Sequence, residues 1–502
     1  MAAYFSSLLT VLQPVNLLML FLCSMIGVVL GAIPGLSGGL GMTLILPLTF
    51  ALNTEMSFCM LLGMYVGGAS GAFIAAVLVG IPGTPASITT CYEGYPMTQQ
   101  GKASKALTIG LTASFMGTAI SILVATLLSG VIADVALALG PWEYFSLCFM
   151  AISLVVSLSH GSLYRGLLGA FLGVWLSTVG TDRVSNSMRF TFGNFNLFAG
   201  IPVVSLLMGM FALQMIMLNY ARGTQDMPDV DSQSLRGFGL KLSDFVDNAR
   251  AIITSLLIGL WIGFLPGMGG GVASMVSYGQ VKKSSKHPEE FGKGREEGLW
   301  ASEVANNAGV GGALIPMVSL GIPGDGSTVL LLSAMTIHGL QAGPMFISRN
   351  PDLAYMIFAA VLVAAILIFV VELLTKRWFP MLLKAPYHYL YGAILMVSFM
   401  GAFTSTTSIF SVLAMLAFGI LAILLEIAEI PSGPMMLAYI LGGNLETYFR
   451  TGISYANGSL LPFVTRPISC ILLIVGIYSL LSPMVKFLWG KFKAGKNEAP
   501  KA

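Results

Sequence analysis

Charge is what this chain lacks. Only 9 % of its 502 residues are Asp, Glu, Lys or Arg, where a soluble domain carries about 25 %. A soluble chain of this length needs a charged skin that this composition cannot supply, which excludes a soluble enzyme and a disordered protein. The net charge of +3 is not gathered on one folded face, so nucleic acid is excluded as a partner. The five cysteines (Cys23, Cys59, Cys91, Cys148, Cys470) show no CxxC spacing, and none of the four histidines forms a metal-spaced pair. Neither a disulfide framework nor a metal centre follows. The N-terminus has no positive n-region, and its apolar run is too long for a signal-peptide core, so it reads as a retained membrane span.

What is abundant is apolar residues, at 56 %, with a mean hydropathy of +0.85. Glycine is also in excess, 58 residues or roughly 12 % against a usual share of about 7 %. Apolar stretches near membrane length recur along the chain, and those too short for a full span sit beside Pro-Gly clusters. Short apolar helices flanked by helix breakers predict broken or re-entrant helices.

The two halves repeat each other. Gly31-Ala-Ile-Pro34-Gly35-Leu-Ser37-Gly38-Gly39 matches Gly263-Phe-Leu-Pro266-Gly267-Met-Gly269-Gly270-Gly271, a shift of 263 − 31 = 232. Gly80-Ile-Pro82-Gly83 matches Gly321-Ile-Pro323-Gly324, a shift of 321 − 80 = 241. Pro141-x-x-Tyr144 matches Pro386-x-x-Tyr389, and Gly173 matches Gly419. Matches in the same order imply a duplicated domain.

Basic residues give the orientation. There is no Lys or Arg before Lys102, which is soon followed by Lys105. The positive-inside rule places the N-terminus outside and Lys102 and Lys105 inside. In the second half the loop 282–297 carries Lys282, Lys283, Lys286, Lys293 and Arg295, whereas its counterpart near 53–57 has none. Opposite sidedness predicts inverted-topology repeats. The basic tail (Lys486, Lys491, Lys493, Lys496, Lys501) places the C-terminus inside, which one unpaired final helix allows. The expected fold is an all-α polytopic membrane protein: two inverted-topology repeats with broken or re-entrant helices plus one extra C-terminal helix. The boundaries are 1–220 (first repeat), 221–250 (polar connecting loop), 251–450 (second repeat), 451–490 (extra helix) and 491–502 (basic cytoplasmic tail).

A helix broken at mid-membrane is tolerated only where protein or a water-filled cavity satisfies the freed backbone groups. The restarted helix points its amides at that place, which suits a carboxylate, and facing carbonyls suit Na⁺. The predicted substrate site is Gly35, Ser37, Gly38 and Gly39 from the first break, Gly267 and Gly270 from the second, Thr84, Ser87, Gly324, Ser327 and Thr328 from the two GIPG turns, and Asn306 and Asn307. Close packing through small residues is the alternative for the glycines. Asn306 and Asn307 lie in an apolar run, where two adjacent carboxamides are costly unless bonded; an inter-helix clamp is the alternative there. Asn306 and Asp325 are candidates for the vicinity of a cation; Asp325 equally suits a helix cap. Glu303 reads either as buried or as interfacial. Asp134, Glu372, Glu426 and Glu429, with His160, His338 and His388, fall near predicted span ends, where snorkelling or capping suffices. Trp142, Trp261, Trp378 and Trp489 read as interface anchors. Gly68-Ala-Ser70-Gly71 has the form of an intramembrane serine protease motif. No well-buried histidine accompanies it, and Ser70 lies in a stripe with Gly63, Gly67 and Gly71, so helix packing is the better reading.

Several stretches together carry a specific resemblance. They are Pro34-Gly35 with its following glycines, Gly80–Gly83, Glu93-Gly94-Tyr95-Pro96-Met97, Phe291-Gly292-Lys293-Gly294, Ala305-Asn306-Asn307-Ala308, Leu320–Gly324 and Gly343-Pro344-Met345. Over nearly its whole length the chain resembles the large membrane subunit (TctA type) of the tripartite tricarboxylate transporter family. Ser302 stands where the family often has Pro, and Thr84 where it often has an acidic residue, which weakens a cation role for the first turn. The resemblance implies a permease subunit of a binding-protein-dependent secondary transporter, not an enzyme, importing tricarboxylates or other organic acids by alternating access. It implies Na⁺ or H⁺ as coupling cation and no other cofactor. It implies as partners a small membrane subunit and a periplasmic solute-binding protein, in a bacterial inner membrane. A pore-forming channel subunit is the alternative that also uses broken helices.

Overall fold

The computed structural model describes residues 2–158, 162–222, 235, 237, 239–383 and 387–497. His160, Pro386, Lys501 and residues 223–234, 236 and 238 of the connecting loop fall outside them, as do the side chains of His388 and Trp489. Six helices among the described residues are long and apolar enough to cross a membrane: Pro14–Ala32, Thr54–Leu78, Ala103–Leu137, Val203–Ala221, Pro351–Leu383 and Ile409–Ile427. Shorter apolar helices include Gly38–Ala51, Ala249–Phe264 and Gly326–Ile337. The architecture is all-α and polytopic; the one departure described is a two-residue antiparallel pair, Gly180–Thr181 with Met188–Arg189.

The chain forms two compact units, and each draws on both halves of the sequence: Met1–Ala136 with Pro202–Leu421, and Leu137–Ile201 with Ala422–Ala502. In the first unit, helix Pro14–Ala32 lies against Thr54–Gly71, and Ala249–Phe264 against Glu296–Leu320. Both contacts are backbone on backbone. A Cβ on Gly27 would stand 2.7 Å from the Met64 carbonyl oxygen, and one on Gly31 2.5 Å from that of Gly68. In the other pair a Cβ on Gly259 would stand 2.5 Å from the Ala305 oxygen, and one on Gly263 2.6 Å from that of Gly309. Gly63, Gly67 and Gly71 close on Leu20, Ser24 and Val28 in the same way. The stripe containing Ser70 is therefore a packing face, as its spacing predicts.

Each pair breaks at the Pro-Gly element. Helix Pro14–Ala32 ends, Ile33 turns extended, Gly35 takes a φ of +83°, and a new helix starts at Gly38 capped by Ser37. Helix Ala249–Phe264 ends, Leu265 turns extended, Gly267 takes a φ of +73°, and a new helix starts at Gly269. Proline cannot continue the ladder, and only glycine enters the left-handed region without strain.

The second unit is held by side chains as well as close packing. Gly173 on helix Leu163–Ser177 abuts the Met435 carbonyl of helix Ser432–Tyr455. Arg189 makes a bidentate pair with Glu446, at 2.7 and 2.9 Å. Arg450 reaches Asp182 at 2.6 Å, and Arg466 reaches the buried Glu143 at 2.6 Å while stacking over Trp142. Trp142 is thus tied into the unit, whereas Trp261 and Trp378 are exposed, as interface anchors are.

Candidate functional site

The second break, the two GIPG turns and the Asn306 carboxamide converge. A Cβ on Gly270 would meet Asn306 Oδ1 at 2.2 Å, so the start of helix Gly269–Ser284 lies directly on that side chain. Positions 269 and 271 face Asp325 and Pro85–Ala86, at 3.3 and 3.6 Å from a Cβ built there. Gly324 fits against Ala313 and the Gly263 carbonyl, where no side chain would. Asn306 is buried, and its Nδ2 makes no hydrogen bond of 3.5 Å or less among the described residues, with the Glu303 carboxylate its neighbour just beyond. A buried carboxamide donor left unmade costs about 1–3 kcal/mol, and here it stands at a helix start with no side-chain cap, whose first amides have no partner within the helix.

The turn residues cap the helices that follow. Thr84 N–H donates to Ser87 Oγ at 3.2 Å. In the second turn Asp325 Oδ1 accepts from Thr328 N–H and the Asp325 N–H donates to Thr328 Oγ1, both at 2.8 Å. Asp325 Oδ2 accepts from Tyr65 O–H at 2.6 Å, so both carboxylate oxygens are engaged by protein donors. Ser327 is half-buried beside Asp325. The first break is placed differently. Gly38 lies on the Cα of Gly68, Ser37 Oγ accepts from Leu40 N–H at 3.2 Å, and the Gly35 carbonyl accepts from Asn219 Nδ2 at 2.7 Å. Gly39 meets little beyond the Ser37 hydroxyl.

Asn307 points the other way from Asn306. Its Nδ2 donates to the Glu303 carbonyl at 3.0 Å, and its Oδ1 accepts from Ser114 O–H at 3.0 Å. Its carboxamide is therefore engaged as an inter-helix clamp. Around it lies a buried polar cluster that composition did not reveal. Ser114 Oγ stands 2.8 Å from Ser70 Oγ, and Ser70 Oγ 3.1 Å from Glu372 Oε2. Thr90 O–H donates to Glu303 Oε1. Glu303 is fully buried, which settles its position. Glu372 corrects the sequence reading: it lies near the end of helix Pro351–Thr375 but is buried, and its Oε1 has no partner among the described residues. Packing against Thr54–Gly71 closes that end of the helix, so nothing is left for the side chain to snorkel toward. Asp134, Glu426 and Glu429 are exposed, as expected of span ends.

Two of the motif stretches are joined by one carboxylate. Glu93 is fully buried on helix Ile88–Gln99. Its Oε1 accepts from Tyr278 O–H at 2.7 Å and Gly292 N–H at 2.6 Å, and its Oε2 from Gly294 N–H at 2.9 Å and Arg295 N–H at 2.7 Å. Nothing in the sequence singles out Tyr65, Ser114, Glu93 and Glu372 as site residues. Their only signal is a polar group inside an apolar run, which does not say what it touches.

Residues 17–437 match the model of a family described as the tripartite tricarboxylate transporter TctA family. Two proteins of Agrobacterium vitis are similar. One, described as an uncharacterized 52.8 kDa protein in the TAR-I ttuC' 3'region, is 34 % identical over 471 residues, covering 93 % of this chain and 93 % of the relative. The other, described as an uncharacterized protein in the TAR-II ttuC' 3'region, is 33 % identical over 234 residues, covering 46 % of this chain and 96 % of the relative. No solved structure matches the chain.

Proposed function

The chain belongs to the TctA family of tripartite tricarboxylate transporters, and from that membership we propose that it is the permease subunit that imports tricarboxylates or other organic acids by alternating access. As a family member it is a multi-pass membrane transport protein, not an enzyme. In this reading a periplasmic solute-binding protein delivers the substrate, a small membrane subunit completes the complex, and Na⁺ or H⁺ supplies the driving force across the inner membrane.

The observation that carries the site is the unpartnered Asn306 donor at the glycine-lined start of helix Gly269–Ser284. A carboxylate seated there accepts from Asn306 Nδ2 and from the free amides of the new helix. Ser37, Thr84, Ser87, Ser327 and Thr328 supply hydroxyls around the breaks, and no Lys or Arg is among these residues. Recognition by neutral groups avoids burying an unpaired cation between substrates.

The inverted repeat, 1–220 against 251–450, is supported by recurrence in the backbone. The positive φ at Gly35 and Gly80 returns at Gly267 and Gly321. The contact of Gly31 on Gly68 returns as Gly263 on Gly309, and Gly83 meets the Gly31 carbonyl as Gly324 meets that of Gly263. Cysteines placed at Thr54 and Ser284 should label from opposite sides of the membrane; labelling from one side overturns the inversion.

Uptake into proteoliposomes holding the chain and both partner subunits tests the function. Wild-type protein should accumulate citrate or another organic acid under a Na⁺ or H⁺ gradient, and none accumulating would refute the reading. Asn306→Ala should lower uptake at least tenfold, about 1.4 kcal/mol at the transport step, with insertion unchanged; wild-type rates would move the site elsewhere.

A further inference from the structure

The buried chain from Glu372 to Asn307 has more hydrogen bonds than its hydroxyls have hydrogens. Its three contacts are Glu372 Oε2 to Ser70 Oγ (3.1 Å), Ser70 Oγ to Ser114 Oγ (2.8 Å) and Ser114 Oγ to Asn307 Oδ1 (3.0 Å). The Asn307 end is fixed. Its Nδ2 donates to the Glu303 carbonyl at 3.0 Å, and the flipped amide would set two oxygens face to face. Asn307 Oδ1 is therefore an acceptor, and Ser114 must donate to it. Ser114 has one hydrogen and is placed to donate both to Ser70 and to Asn307, so two separate bonds need Ser70 to turn and donate to Ser114. Ser70 also has one hydrogen, so the third must come from Glu372. Three separate bonds need Glu372 to be a carboxylic acid with its proton on Oε2; with the acid ionised, Ser70 donates to Glu372 and Ser114 shares one hydrogen between Ser70 and Asn307.

We propose that Glu372 is the binding site of the proton coupled to transport, and that Ser70 and Ser114 report its occupancy to Asn307. The proposal rests on the transporter reading and names its cation. When the acid ionises, its proton leaves to water and Ser70 turns to donate to the carboxylate. Ser114 then shares its one hydrogen between Ser70 and Asn307 Oδ1. No covalent bond changes except the O–H of the acid. Asn307 is the chain neighbour of Asn306, so protonation at Glu372 alters the hydrogen bonding next to the proposed substrate donor. A cavity of about 10 Å³ opens beside Ser70, Ser114 and Thr118, on the order of one water, and Thr118 Oγ1 there has no partner among the described residues. It borders the two hydroxyls of the chain, not Glu372 itself. The rest of its wall is apolar (Val66, Leu111, Phe115 and Phe369 among others), which does not suit a metal cation.

The charged surroundings agree. Glu303, on helix Glu296–Leu320, is the other fully buried acid of this cluster. Lys376, one turn along the same helix, donates instead to Thr108, Ser104 and the Gly237 carbonyl. On the neighbouring helices Glu55, Asp134 and Arg349 lie near helix ends, and Lys105 is paired with Asp244 and Glu296. Arg377 beside Lys376, with Cys23, Cys59, Tyr4 and Tyr65, are the remaining titratable groups on the elements packed there. No described cation pairs with Glu372, so its ionised form would be an uncompensated buried charge.

The test has two arms on the full chain. Infrared difference spectra of the purified protein read the C=O stretch of a buried protonated carboxylic acid and need no substrate. We expect one such band near neutral pH, lost in Glu372→Gln and kept in Glu303→Gln; a band unchanged in Glu372→Gln overturns the proposal. Gln keeps an N–H for Ser70, so this variant preserves the bond count and should fold. Ser114→Ala is a second variant, and it should keep the band while cutting the relay. In the other arm, proteoliposomes with both partner subunits take up citrate. A pH gradient should drive accumulation by wild type, and accumulation should be lost in Glu372→Gln and Ser114→Ala while citrate exchange persists. Uptake driven by Na⁺ and indifferent to the pH gradient overturns the coupling. Because the infrared arm is independent of substrate, a failure of the transport reading is distinguishable from a failure at Glu372.

Discussion

Removing the Glu93 carboxylate should release the 285–297 loop from the helix that carries it. The carboxylate accepts four hydrogen bonds, three from the backbone amides of Gly292, Gly294 and Arg295 and one from Tyr278. Bonds to a charged group contribute about 1.5–3 kcal/mol each, and an orphaned buried donor costs about 1–3 kcal/mol. The contributions do not add, because the loop can open to water once its anchor is gone. Glu93→Ala should therefore cost on the order of 3–5 kcal/mol, as breaking a buried charged cluster does. Glu93→Gln separates charge from shape. Its carbonyl can serve Gly294 and Arg295, and its NH₂ can donate to a turned Tyr278 hydroxyl, but Gly292 N–H is then left facing a donor. The expected cost is one orphan, about 1–3 kcal/mol. Hydrogen exchange of the detergent-solubilised protein should show the Gly292, Gly294 and Arg295 amides exposed in the Ala variant, with Gly292 alone strongly exposed in the Gln variant. Equal protection in all three proteins would refute the cradle.

Two further expectations follow from geometry. Gly263→Ala places a Cβ 2.6 Å from the Gly309 carbonyl oxygen, whereas Gly279→Ala meets nothing within 4 Å. The first should lower the thermal midpoint, with about 1–3 kcal/mol of overpacking, and the second should leave it unchanged or raise it through about 1 kcal/mol of helix propensity. Similar midpoints would show that the two helices are not in backbone contact. In the second unit the Ser185 hydroxyl, followed by the Arg450 guanidinium, holds the Asp182 carboxyl far below its ordinary value of 3.8. A depressed folded value means that the stabilisation is present above the unfolded value and fades as pH falls below it. Exchange at the Val184 and Ser185 amides should accelerate below that point in wild type and lose its acid dependence in Asp182→Asn; a flat wild-type profile would contradict the pairing.

Local backbone was legible where the residue type forces it. Pro34-Gly35 and Pro266-Gly267 break their helices where the sequence says they must, because no other residue combination ends a ladder so abruptly. Asp325 as a cap was legible too, from one acidic residue before a helix. The partners of polar residues inside the helices were not. Ser70 shows a packing stripe in its spacing, and that stripe exists, but nothing in the run around it names Ser114 or Glu372, which are distant in sequence. Glu372 reads as a span end by its position along its own helix, and burial is decided by the helix against which it packs. Asn306 and Asn307 are adjacent in sequence, and a helix sets neighbours about 100° apart. One therefore faces the glycine break and the other faces the hydroxyl chain, a division that no property of two identical side chains could announce.

The buried acids show how the chain divides its scarce charge. In the second unit Asp182 and Glu143 are buried and each is paired with an arginine, Arg450 and Arg466. In the first unit Glu93, Glu303 and Glu372 are buried as deeply, and their described bonds come from amides, hydroxyls and a carboxamide. An arginine pair holds one geometry, and breaking it strands a charge. A hydroxyl reverses from donor to acceptor by rotating about one bond, so a carboxyl held by hydroxyls can gain or lose a proton while its neighbours stay in place. The same economy applies to the substrate. A site of amides, Ser, Thr and Asn binds a carboxylate without leaving an orphaned cation when the carboxylate departs. On the proposed reading, low charge in this chain is therefore more than a condition of membrane residence, because neutral donors would let both the proton and the anion be bound and released.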